Sequence, residues 1–294
     1  MNIQKSYQKD KGILYIVPTP IGNLEDMTYR SVRILKEVDI IAAEDTRNTR
    51  KLLNYFEIRT HLTSYHEHNK ETSGLHLLEQ LREGKNIALV SDAGMPAISD
   101  PGYELVRDAV KEEIHVISLP GANAALTALT ASGIQPQPFH FYGFLSRRKK
   151  EREEELKSLK TIRSAIIFYE APHRLKETVQ AIYDCLGNRK AAICRELTKR
   201  YEEYVRGTLQ EIIEWINTND IRGEFCLIIE GADELDTSLP EAAFWSSMNI
   251  IQHVNYYIAL GETSKEAIKK TAKDRQMAKR DVYQHYHVNE KGNE

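Results

Sequence analysis

The stretch NIALVSDAGMPAISDPGYELVRDAVKEEIHVISLPGANAALTAL, residues 86–129, decides the fold. NIALVSD (86–92) and IHVISLP (114–120) are short apolar runs, each ending in a turn signal, and both read as buried strands. YELVRDAVKE lies between them with helical spacing, and an Ala-rich helix follows the Pro-Gly turn. Working outward, GILYIVP (12–18) reads as another strand. TYRSVRILKEVD (28–39) reads as a helix with Val32, Leu35 and Val38 on one face, and IIAAE (40–44) is strand-like again. Such alternation predicts a mostly parallel sheet covered on both faces, because crossover helices must pack on it.

Past the Pro-rich IQPQPFHFYGF (134–144), SAIIFYEAP (164–172), KAAICREL (190–197) and EFCLIIEG (224–231) are candidate strands of a second block. Helical stretches at 173–185 and 208–217 separate them. RRKKEREEELKSLK (147–160) is a charged helix at the boundary; a solvated face explains it, and its basic start would also suit an anionic substrate path. ADELDTSLPEAAFW (232–245) breaks the pattern and is read as a linker. Beyond it, residues 265–280 hold seven basic residues against two acids, a local net of +5 in a chain of net charge −3. TSKEAIKKTAKDRQMAKRDVYQHY reads as two short helices broken near Arg275–Met277, with Ser264 and the segment before Asp281 as start signals. A small helix-turn-helix-like unit fits this pattern.

Composition narrows the classes further. Hydrophobic residues make up 41% of the 294, enough for a buried core, so a wholly disordered chain is excluded. The 40 basic and 43 acidic residues exclude a globally basic nucleic-acid coat but not a local patch. The polar start MNIQKSYQKDKG has no apolar core, so no secretory signal is expected, and no run approaches the ~20 apolar residues of a membrane span. Cys185, Cys194 and Cys226 are odd in number and lack CxxC spacing. They read as core thiols of a protein in a reducing cytoplasm, with no disulfide framework and no metal site expected.

Four strand exits stand out, and α/β sheets hold ligands there. VPTPIGNLEDMT (17–28) is a stiff turn whose backbone N–H groups suit an anion. VSDAGMPAISDPG (90–102) packs two Asp, two Gly, two Pro and two Ser into one connection; dense turn chemistry alone would also produce it, but glycine permits close approach of a ligand. SLPGANAALTAL (118–129) exposes N–H donors at a helix start, as ordinary tight packing also would. FYEAPHR (168–174) clusters Tyr169, Glu170, His173 and Arg174 at one strand end. Neither GxGxxG nor GxxxxGK[ST] occurs, so a dinucleotide or P-loop site has no support.

In order, YIVPTPIGNLEDMTYR, AAEDTRNTRKLL, SYHEHN, LVSDAGMPAISDPG, LPGANAALTAL, FYEAPHR, CRELTKRYEE, RGTLQEI and GEF make the chain similar to the tetrapyrrole-methylase superfamily of S-adenosylmethionine-dependent methyltransferases. More narrowly, residues 12–290 resemble the bacterial ribosomal RNA small subunit methyltransferase I group, which methylates a cytidine 2′-hydroxyl in 16S rRNA. The resemblance implies an α/β, two-domain class III methyltransferase with a small C-terminal helical extension. Its domains would be 12–119, 120–234 and a basic helical 240–290. It implies S-adenosylmethionine in the cleft between the α/β domains, a homodimer, a cytoplasmic location, and 16S rRNA in the small ribosomal subunit as partner. The PTPIGN first loop departs from the Gly-rich loop of many tetrapyrrole methylases, which speaks against a porphyrinoid substrate.

Mapped by motif, the cofactor residues are Pro18, Asp92, Ala93, Gly94, Met95, Pro96, Leu119, Gly121, Ala122, Tyr169, Leu197 and Glu224. A ribose hydroxyl is a weak nucleophile and gains from a proton acceptor. Glu170 and His173 are the first candidates, with Asp100 behind them and Asp45 further off. Arg47, Arg50, Lys51 and Arg174 are candidate phosphate contacts, which position RNA without reading it. His66 and His68 resemble positions on the substrate side, though two surface histidines would read the same way. Charge reversal at Lys269, Lys270 and Lys273 is expected to weaken subunit binding and spare the cofactor. Two other functions stay open: a methyltransferase for a small tetrapyrrole or corrinoid, and a non-enzymatic nucleic-acid-binding regulator.

Overall fold

The computed structural model describes residues 3–6, 12–233, 245, 248–275 and 277–288. Most of the linker read at 232–245, residues 234–244, lies outside the described residues, as do 246–247, Gln276 and 289–290 of the C-terminal segment. The chain divides into two compact units, Met1–Ala232 and Asp233–Glu294. Both α/β blocks fall in the first.

The first block runs β1 (Ile13–Ile16), α1 (Tyr29–Glu37), β2 (Ile40–Ala43), α2 (Thr46–Tyr55), β3 (His61–Ser64), α3 (Lys70–Arg82), β4 (Ile87–Val90), α4 (Tyr103–Lys111), β5 (His115–Ser118) and α5 (Ala124–Ser132). Its five strands lie in the order β3-β2-β4-β1-β5, every pair parallel. Successive side chains of a strand point to opposite faces. Ile13 and Tyr15 therefore enter one core with Leu35 and Ile41. Leu14 and Ile16 enter another with Leu77 and Leu105. Burial on both faces is why these strands read as unbroken apolar runs. Adjacent β1 and β4 send their connections to opposite sides of the sheet, toward β2 and β5. That switch point opens a crevice beyond their carboxyl ends.

The second block runs β6 (Phe139–Phe144), α6 (Lys149–Leu159), β7 (Ala165–Glu170), α7 (Pro172–Leu186), β8 (Lys190–Arg195), β9 (Glu203–Thr208), α8 (Leu209–Thr218) and β10 (Phe225–Ile229). Its order is β6-β7-β10-β8-β9. Only β6–β7 is parallel; β10 pairs antiparallel with β7 and β8, and β8 with β9. One face packs Ile166, Phe168, Ile193 and Leu227 against α6–α8. The other packs Ile167, Ala192, Cys194 and Cys226 against Ala125, Ala128 and Leu129 of α5. The small residues of α5 allow that close contact, so α5 leaves the first sheet and covers the second.

Among its described residues the second unit holds the two helices read from the sequence, broken after Asp274, and one more before them: α9 (Ile250–Ala259), α10 (Ser264–Asp274) and α11 (Lys279–Val288). They close around Val254, Ala267, Ile268 and Val282. Thr263, rather than Ser264, caps α10 by accepting from the Glu266 N–H. Arg275 ends α10 and turns inward. Its Nε donates to His253 Nδ1 (3.1 Å), its Nη2 to the carbonyls of Trp245 (3.1 Å) and Met248, and its guanidinium lies 5.0 Å from the Trp245 ring. Arg275→Ala would remove the donor to buried His253 Nδ1 and to the Met248 carbonyl and one of the two donors to the Trp245 carbonyl. It is expected to cost this unit about 2–4 kcal/mol, seen as faster amide exchange throughout α9–α11; exchange unchanged from the parent would contradict this. No described helix is long and apolar enough to cross a membrane.

Candidate active site

Each site residue is held by the element it exits. At the switch point the loops after β1 and β4 pair with each other: the Thr19 N–H donates to the Gly94 carbonyl and the Gly94 N–H to that of Thr19, both at 3.0 Å. Thr19 Oγ1 adds a bond to the Ser91 carbonyl at 3.1 Å. Gly94 has φ +76°, and a Cβ there would lie 3.2 Å from Ile21 Cγ2. The backbone therefore stays bare where the loops meet. The turn after β5 closes on the same wall, since a Cβ on Gly121 would lie 2.6 Å from Pro18 Cβ.

Tyr169, on β7, joins the two sheets. Its hydroxyl accepts the Ala125 N–H at 3.1 Å, satisfying one orphan donor at the start of α5, while Asn123 Oδ1 accepts that of Leu126. The ring packs against Phe141 and Phe144. Burial pushes its hydroxyl up to about 12, so it stays protonated. Opposite, the bend after β8 is tight. Glu196 (φ 51°) and Thr198 (φ 68°) are left-handed, and Lys199 Nζ bridges Glu196 (3.0 Å) and Glu224 (2.7 Å). A Cβ on Gly22 would strike Lys199 Cγ at 2.3 Å, so this bend touches the β1 loop.

These exits enclose a cavity of about 590 Å³ between the sheets, within the ~300–1,000 Å³ of small-molecule sites. Of the residues read from sequence, Ala93, Gly94, Met95, Asp100, Tyr169, Glu170, His173, Leu197 and Glu224 line it. Pro18, Asp92, Pro96, Leu119, Gly121 and Ala122 stand outside that lining. Pro18 and Gly121 back the wall, and the Leu119 N–H is spent on the Ile16 carbonyl (3.0 Å). Asp92 serves another loop: its oxygens accept the Asp45 N–H and the Asn48 amide, both at 3.1 Å.

The candidate acid–base groups separate clearly. The Glu170 carboxylate is inaccessible and already engaged, accepting from Thr178 Oγ1 (2.6 Å) and the Ala171 N–H (2.9 Å) with Arg174 Nε at 3.4 Å. It holds Arg174, which donates to the carbonyls of Leu145 and Ser146; this pair builds the rim, and Arg174 is not a spare phosphate contact. His173 is exposed at the start of α7. Asp100 is half-buried on the wall. Burial lifts its carboxyl above the usual range and the charge of Asp92 adds to this, while a Ser91 hydrogen bond opposes them. Asp45 is bound by Arg47, which holds it down to about 2, far too acidic for a useful base. His66 and His68 stack edge to face at 6.0 Å, and among the described residues no cluster suits a metal ion.

Several wall residues escaped the sequence reading. Ile21, Ile98, Phe144 and Phe225 are apolar, and nothing in a sequence separates such residues from core. Lys199 stood inside a quoted motif, but its pairing across the bend depends on the fold. Cys194 and Cys226, read as core thiols, are buried cross-strand neighbours that also touch the cavity. Burial raises both thiols, Cys194 to about 12, so neither is a nucleophile.

Residues 13–213 match the family model for Tetrapyrrole (Corrin/Porphyrin) Methylases. A Bacillus subtilis (strain 168) protein named Ribosomal RNA small subunit methyltransferase I is 59% identical over 281 residues, 96% of each chain. The namesake from Halalkalibacterium halodurans is 60% identical over 289 residues, 98% of this chain and 99% of its own. The chain belongs to the ribosomal RNA small subunit methyltransferase I family. Membership in that family makes it a methyltransferase and removes the non-enzymatic reading. Solved structures share the fold: diphthine synthase (TM-score 0.61, 12% identity, 76% of this chain and 92% of that one) and cobalt precorrin-4 methyltransferase (TM-score 0.57, 18%, 74% and 94%). The observed architecture is the α/β class III methyltransferase fold implied by the sequence motifs.

Proposed function

We propose that this chain transfers a methyl group from S-adenosylmethionine to the 2′-hydroxyl of a cytidine in 16S rRNA of the small ribosomal subunit. The observation that carries this reading is the inter-sheet cavity, walled by bare backbone at Ala93–Met95 and by a half-buried carboxylate at Asp100. Its donor set fits the cofactor. Ile21, Met95, Leu197 and Phe225 offer apolar walls to a purine and thioether, and the Ala93 and Met95 N–H groups flanking the paired Gly94 offer hydrogen bonds. Bound there, S-adenosylmethionine supplies a methyl group already activated by its sulfonium.

The protein's own work is placement and proton handling. Asp100, whose carboxylate burial makes more basic than usual, takes the proton of the ribose hydroxyl as oxygen gains the methyl group. His173 stands exposed at the mouth, and Glu170 with Arg174 fixes the rim beside it. A homodimer in the cytoplasm is part of this reading. Calorimetry with S-adenosylmethionine tests the cavity: one site per chain is expected, and absence of heat contradicts it.

The basic helices serve RNA in this reading. Lys270 pairs with Glu262 and lies over Tyr257, and Lys269 pairs with Glu266, so neither is the best probe. Lys265, Lys273, Lys279 and Arg280 are exposed and make no ion pair among the described residues. Lys265, Lys273 and Lys279 changed together to Glu should weaken small-subunit binding at least ~10-fold at low salt and flatten the salt dependence by ~2–3 in logarithmic slope. Cofactor affinity should not change. Binding equal to the parent's across a salt series refutes the role.

A further inference from the structure

A second cavity, of about 320 Å³, adjoins the first across one wall. Thr19 and Gly94 form that wall through their paired backbone bonds. Ile21 faces the first cavity while its neighbours Pro20 and Gly22 face the second; Ala93 faces the first while Asp92 faces the second. The two spaces are one residue apart. Pro20, Leu24, Leu52 and Tyr55 give the second cavity apolar walls, with Lys51 among them. Tyr55 is 63% exposed, and Phe56 supports its ring edge-on at 4.9 Å.

The charge that α2 brings to this cavity has one sign. Helix α2 carries Arg47, Arg50 and Lys51 and no acid. Arg47 is held by Asp45, but Arg50 and Lys51 are exposed and make no ion pair among the described residues. Asp92, the one acid of the lining, is spent on Asp45 and Asn48. Glu25 and Asp26, which follow Leu24, are not in the lining. A flat apolar ring beside a lone cation matches a base and its phosphate, and the volume sits at the low end of ligand sites, room for one nucleoside. Single-stranded RNA is gripped by such pairings of aromatic platform and basic groove.

We infer that the second cavity seats the nucleotide next to the methylated one, its base stacked on Tyr55 and its phosphate at Lys51. This rests on the RNA reading above. It gives the enzyme a grip on two consecutive nucleotides, one on each side of the Thr19–Gly94 wall, and so sets the register of the target ribose.

Steady-state methylation of small ribosomal subunits carrying unmodified 16S rRNA tests it. Tyr55→Ala and Lys51→Glu should each raise KM for the subunit about tenfold, the size of one lost base stack. Cofactor Kd should match the parent's, and kcat should stay within about twofold. Tyr55→Phe, which keeps the ring, should restore the parental KM, a rescue that a role in holding α2 through the hydroxyl would not give. Parental KM in both Tyr55→Ala and Lys51→Glu overturns the inference while leaving the RNA reading intact. Subunits left unmethylated by the parent protein overturn both.

Discussion

Asp100→Asn should cut kcat by about 10²–10⁴-fold, the usual contribution of a positioned acid–base group, while S-adenosylmethionine binds as before. It should also raise Tm. The folded carboxyl titrates above its ordinary range. Its ionised form is therefore disfavoured by folding, and stability present below the unfolded pKa is lost as pH rises through the folded one. A neutral amide removes that cost. Slower and more stable is the signature of a group kept in a costly state for its chemistry. The parent's kcat/KM should fall as pH drops through the Asp100 pKa. Asp92→Asn, which removes a neighbouring charge that lifts this pKa, should move the acid limb to lower pH. Parental kcat in Asp100→Asn, or an acid limb unmoved by Asp92→Asn, would show that the proton goes elsewhere.

Gly94→Val should weaken cofactor binding roughly 10–100-fold. At φ +76° a branched side chain costs on the order of 1–3 kcal/mol, and 1.4 kcal/mol is a factor of ten. The new atoms also meet Ile21 across a gap of 3.2 Å. Pairing the change with Ile21→Ala should recover part of the loss by relieving contact while leaving the backbone strain. Calorimetry reads both variants. Parental affinity in Gly94→Val would mean that the loop after β4 is not where the cofactor lies.

Much of the first sheet was legible because burial on both faces makes a parallel strand an unbroken apolar run, as ILYI and IALV are. The edges were not. β3 (HLTS), β6 (FHFYGF) and β9 (EYVRGT) are edge strands whose half-exposed residues mix polar and apolar types. The prolines before β6 suggested a boundary instead. Pairing direction was equally hidden, since β7, β8 and β10 look the same whether parallel or antiparallel. At the site, strand exits dense in Gly, Pro and Asp announced themselves through backbone demands. Side-chain commitments did not. That Glu170 bonds Thr178 eight residues on, or that Asp92 serves α2 rather than the cavity, depends on folded geometry. Arg275 likewise counted toward a basic surface, but the structure spends it on His253 and two carbonyls.

The most direct test supplies S-adenosylmethionine with a deuterated methyl group to this enzyme and unmodified small subunits, then maps the 16S rRNA nucleosides by mass. The account predicts label in one 2′-O-methylated cytidine and nowhere else. Label on a base, label at a different nucleoside, or none at all would contradict it.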